Sequence, residues 1–175
     1  MLSSMGIATP KEFLKAIVDP DMAEFSGAIT DLRVAHHACI SLLSLRDWVA
    51  KAHDGTTWTY RGRIIGTIDV DRPAKGFGAD LIGIERQFEV IFDIANASKH
   101  MVLGNRKLTE LHGSANVAIQ ILSSESTTKL SPTTSPEEKG ELRVLVKIGN
   151  DHHDVLKCAQ AVHAAWADLF RENGW

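Results

Sequence analysis

Apolar and polar positions alternate along most of this chain with the period of a helix. From about residue 79 to 103, Ile84, Phe88, Ile91, Ala95 and Val102 recur at helical spacing and predict one long helix with a buried face. Upstream, Leu32, Ala35, Cys39, Leu42, Leu45 and Val49 predict another long helix, starting near Asp21 or Thr30 and ending at Ala52, with Gly27 marking a break between two pieces. Leu156, Ala159, Val162, Trp166, Leu169 and Phe170 predict a last helix, capped by Asp151 and running to about Arg171. A short helix is expected from Thr9 to about Val18. Thr9-Pro10-Lys11-Glu12 has the capping-box form with proline in the first turn, and Asp19-Pro20-Asp21 is expected to break the helix.

Two runs alternate with period two instead. Residues 116–122 and 141–148 predict a β-hairpin spanning about 115–149. Its connection, about 123–140, is rich in Ser, Thr and Pro and is expected to be exposed and mobile. Residues 56–72 fit a strand or a helix equally well. The fold class that follows is α+β, mainly α: a single domain over 1–175, built as a bundle of about four helices with a β-hairpin inserted before the last helix.

The polar side of the central helix carries the candidate chemistry. Asp93, Asn96 and His100 follow Glu89 at steps of four, three and four, which puts all four within about 40° of one line along the helix, with Lys99 beside it. The earlier long helix carries a second polar stripe, Arg33, His37, Ser44, Asp47 and Lys51, with His36 at its edge. If the two helices run antiparallel, Asp47 and His37 join the first stripe. Acid, imidazole and amide around one cleft suit general acid–base work, and the same residues equally suit a buried network that fixes helix register. The catalytic candidates are His100, Asn96 and Asp47. The ligand-binding candidates are Lys99, His37, Asp93 and Glu89. No metal is expected: the spacing H-E-x-x-H is missing, and adjacent His36 and His37 diverge by about 100° on a helix. Asp151-His152-His153-Asp154 has a metal-like composition but reads as a helix cap and first turn.

Charge and cysteine content narrow the classes. A net charge of −3 argues against DNA or an anionic membrane as a partner. No run of about 18 apolar residues offers a membrane span, and the N-terminus lacks a signal-peptide pattern, so a cytoplasmic protein is expected. Cys39 and Cys158 both fall in apolar helical patterns and read as buried thiols. No cofactor is expected.

Asp47-Trp48-Val49 at the end of one helix, Asn96-Ala97-Ser98-Lys99-His100 on a later one, and a hairpin followed by a helix containing Trp166 come in a familiar order. In this order the chain resembles a group of small bacterial and phage helical proteins with a D-W-V and N-x-x-K-H pattern. More distantly it resembles the HEPN superfamily of helical nucleotide-binding and ribonuclease domains. The resemblance covers about residues 30–172 and rests on short motifs. It implies a polar cleft that binds a nucleotide or RNA and can cleave RNA, with Asn96, Lys99 and His100 as working residues, Lys99 holding phosphate and His100 acting as acid or base. The other reading is a non-catalytic protein-interaction module, a homodimer, in which the polar stripes are structural.

Overall fold

The computed structural model describes residues 6–71, 76–101, 118–123, 142–148 and 151–175, and the expected mobile connection at 123–140 lies almost wholly outside them. The architecture is mainly helical α+β, with two small antiparallel sheets, and the three-stranded one directly precedes the last helix.

Helix α1 (Pro10–Phe13) starts where the sequence places it. Thr9 Oγ1 accepts the Glu12 N–H at 3.1 Å, and the Glu12 carboxylate accepts the Thr9 N–H at 3.0 Å. Asp19-Pro20 does not end this helical segment. Residues Leu14–Val18 form a π turn, and α2 (Asp19–Gly27) continues from it with Pro20 in its first turn. Proline offers no N–H and its ring crowds the carbonyl four residues back. The wider π turn absorbs that conflict, with the Asp19 N–H reaching the Leu14 carbonyl. Gly27 does end α2. Asp31 then caps α3 (Leu32–Ala52), its Oδ1 accepting the N–H groups of Arg33 at 2.8 Å and Val34 at 3.2 Å. Leu32, in the first turn, is half-exposed rather than core.

Residues 57–67 are a hairpin, β1 (Thr57–Tyr60) and β2 (Arg63–Thr67). Its turn residues Arg61 and Gly62 both have positive φ, 51° and 73°, the backbone that suits a two-residue turn between twisted strands. The expected single helix over 79–103 is two helices, α4 (Phe77–Ile84) and α5 (Gln87–Met101). Glu85 is extended, with φ −147° and ψ 107°, after Gly83 has weakened the last turn of α4. Leu81, Ile84, Phe88, Ile91 and Ala95 keep helical spacing across the break, so the hydrophobic pattern does not reveal it.

Strands β3 (Ala118–Ser123), β4 (Leu142–Ile148) and β5 (Asp151–Asp154) form the second sheet in that order, all antiparallel. Asp151 is therefore the start of a strand and not the cap of the last helix. Asp154 is the cap of α6 (Val155–Asn173), accepting the Lys157 N–H at 3.2 Å, and Gly174 ends the helix in the left-handed conformation.

The core lies between α3, α5 and α6, with α2 against α3 and α6. Cys39, Leu42, Leu45 and Val49 of α3, Phe88, Ile91 and Ala95 of α5, and Ala159, Val162, Trp166 and Leu169 of α6 are fully buried. An aromatic cluster joins the β1–β2 hairpin to this core: Phe77 meets Trp58 edge-on at 5.2 Å, and Trp166 meets Phe88 edge-on at 5.5 Å. Among the described residues no helix is long and apolar enough to cross a membrane.

Candidate functional site

The break between α4 and α5 has a local consequence. It gives α5 its own N-terminal turn, and that turn brings Arg86, Gln87, Glu89 and Val90 to the wall of a cleft of about 280 Å³. The opposite wall is built by Ile148 at the end of β4, Asp151 and His153 of β5, and Cys158 in the first turns of α6. The strand register explains this set. Ile148 lies across from Asp151, and Val146 across from His153, so these cross-strand partners share one face of the sheet. Asp151 and His153 are two residues apart on a strand and both point to the cleft. Asp154, on the other face, accepts Nη1 of Arg143 at 2.8 Å.

The chemistry of the lining is mixed. Arg86 supplies donors, Glu89 and Asp151 supply acceptors, and His153 supplies one of each when neutral. Gln87 Oε1 is buried and has no hydrogen-bond partner among the described residues. A buried acceptor without a donor costs about 1–3 kcal/mol, so this oxygen is a place where a donor is wanted. Burial, and then the charges of Asp154 and Glu85, push the Cys158 thiol up to about 11, so it carries its proton and serves as apolar wall. Cys39 is wholly buried, and its thiol is pushed higher still by burial and by Cys158. Among the described residues no group of three His, Cys, Asp or Glu side chains is placed to hold a metal ion.

The residues singled out from the sequence fall into three places. Glu89 is in the cleft. Asp93 is half-buried and Asn96 exposed farther along α5, while the side chains of Lys99 and His100 lie outside the described residues. Asp47 and His37 are on α3 and exposed. Asp47 Oδ1 accepts Nε of Arg46 at 2.8 Å and lies 2.7 Å from its Nη2. The Arg46 guanidinium in turn sits 5.1 Å from the centre of the Phe92 ring, so the end of α3 does meet the middle of α5. Trp48 anchors that end by stacking on Phe13 at 5.1 Å. His36, beside His37, is partly buried, and burial holds its imidazole below the usual range.

Arg86, Gln87, Asp151 and His153 were not in the sequence-derived set. The composition of Asp151-His152-His153-Asp154 is the one signal that pointed there. Comparison with protein-family models, with curated proteins and with solved structures gave no match.

Proposed function

We propose that this mainly helical protein binds a single nucleotide in the cleft between α5, β5 and α6. The observation that carries the reading is the buried, unpartnered Gln87 Oε1 in the wall of a recess that also holds Arg86, Glu89, Asp151 and His153. An amino or imide N–H of a base supplies the donor Gln87 lacks, the two carboxylates accept ribose hydroxyls, and Arg86 donates to a phosphate. The volume suits one nucleotide, at the small end of ligand pockets. Two acids beside one arginine disfavour a polyanion, which sets a mononucleotide ahead of an RNA strand. The resemblance to HEPN-like domains points to the same ligand class, and Glu89 makes the cleft continuous with the polar stripe of α5. The proposal is one of binding. The second reading, an interaction module, is supported by a different surface, the open edge of β2.

Calorimetric titration with AMP, GMP, CMP and UMP tests it. The expected result is saturable binding of at least one, weakened about ten-fold in Gln87→Ala, the loss of one well-made hydrogen bond. No binding of any of the four, or binding unchanged in Gln87→Ala, contradicts the proposal.

A further inference from the structure

The β1–β2 hairpin has two edges, and they are treated differently. Tyr60 pairs with Arg63 across the two-residue turn, Thr59 lies opposite Ile64, and Thr57 lies opposite Thr67. Residues flanking such a turn exchange their main-chain hydrogen bonds, so the next pair, Thr59 and Ile64, directs its N–H and C=O groups outward. On the β1 side this is seen directly. The Thr59 N–H donates to Asn173 Oδ1 at 2.8 Å, and the Thr59 carbonyl accepts Asn173 Nδ2 at 2.9 Å. One carboxamide thus makes, at Thr59, the two bonds that a third strand would make, and the β1 edge is closed at that position.

Among the described residues the β2 edge is not closed. Ile65 is the extra residue of a bulge between Ile64 and Gly66, which makes Thr67 the next outward-facing position. The outward main-chain groups of Ile64 and Thr67 have no hydrogen-bond partner among the described residues. Soluble proteins guard such an edge with a charge at the exposed central position. Here that position is Ile64, 75% exposed, the most exposed large apolar side chain among the described residues. Positive charge stands at the turn end of the strand instead, on Arg61 within the turn and Arg63 directly after it. Arg61 and Arg63 are exposed and form no ion pair among the described residues. Arg61 lies 5.0 Å over the Tyr60 ring. The acid at the tip, Glu172, is on the β1 side, accepting the Gly62 N–H at 3.4 Å.

We propose that the outer edge of β2 takes up an extended segment of a partner protein as a third strand, and that this segment carries an acidic side chain at the end of a short β-forming run that lies beside the turn. The main-chain groups of Ile64 and Thr67 give the pairing, Ile64 gives apolar contact, and Arg61 and Arg63 select acid over base. This surface is independent of the nucleotide cleft, so either proposal stands or falls alone.

The probe is a synthetic acetylated peptide, Glu-Val-Thr-Val-Thr-Glu, and its counterpart with both glutamates replaced by lysine, each titrated into the isotope-labelled protein and followed by amide NMR. The acidic peptide is expected to shift the Ile64 and Thr67 amides and slow their exchange with solvent. The lysine peptide is expected to bind about ten-fold more weakly. Ile64→Pro, which removes the outward N–H, is expected to abolish the effect. The double substitution Arg61→Glu and Arg63→Glu, which leaves the strand backbone untouched, is expected to reverse the preference. Absence of shifts at Ile64 and Thr67, equal binding of the two peptides, or self-association through Ile64 without peptide each overturns the proposal. The last of these would give the edge to a second copy of the chain.

Discussion

Asp154 and Arg143 are joined across the second sheet at 2.8 Å, and the same Asp154 carboxylate accepts the N–H of Lys157, the third residue in the first turn of α6. One side chain therefore caps the last helix and ties it to β4, the strand whose end helps build the cleft. The Asp154 side chain is 15% exposed and its bond to Arg143 is partly buried, while its bond to the Lys157 N–H is open to water. Asp154→Ala is expected to cost about 1–3 kcal/mol in urea unfolding. Asp151→Ala, at an exposed strand position, is expected to change stability by less than about 0.5 kcal/mol. Equal effects of the two substitutions would return the cap to Asp151.

Asn173 holds the β1–β2 hairpin to the end of α6 through both main-chain groups of Thr59, and its Nδ2 also donates to the Leu169 carbonyl at 2.9 Å. Asn173→Ala leaves these partners to water or to nothing. It is expected to lower stability by about 1–3 kcal/mol and to speed amide exchange at Thr59 more than in α3. Exchange at Thr59 unchanged by the substitution would show that the carboxamide does not close that edge.

Trp166 is fully buried at the meeting point of Phe77, Phe88 and Phe170. Trp166→Ala is expected to cost about 3–5 kcal/mol through lost burial and the cavity left behind. An unfolding midpoint unchanged by the substitution would contradict the core as described.

Both thiols, and the Tyr60 hydroxyl, have their ionisation pushed upward mainly by burial. A raised folded-state value means that the folded chain holds these protons more tightly than the unfolded chain. Their contribution is complete below the unfolded thiol value of about 8.5 and falls as pH rises toward the folded values, about 11 for Cys158. Unfolding midpoints are therefore expected to drop between about pH 8 and pH 11. The drop is expected to be smaller in the double variant Cys39→Ala, Cys158→Ala, and an equal drop in both proteins would remove the thiols from the explanation.

Hydrophobic period made α3, α6, β3 and β4 legible to within a few residues, because each buries one regular face or lies in a simple alternation. Backbone events that leave the pattern intact were not legible. The break at Glu85 preserves helical spacing from Leu81 to Phe88, and the π turn before Pro20 repairs locally what proline disturbs. The β1–β2 hairpin was ambiguous because its turn is Arg61-Gly62 and not one of the strong Asn-Gly or Asp-Gly signals. The candidate site was only partly legible for the same reason. Glu89 was found as part of a helical stripe. Arg86 and Gln87 reach the cleft only because a helix restarts there, and His153 only because Asp151–Asp154 is a strand, whose alternation sends it to the face of Asp151.

The central claim, a nucleotide in the cleft between α5, β5 and α6, is tested most directly by amide NMR mapping with the nucleoside monophosphate that binds best. The expected result is a set of shifted amides centred on Gln87, Val90, Ile148 and His153, with α2 and the β1–β2 hairpin unmoved. Shifts centred elsewhere, or none at saturating nucleotide, would contradict it.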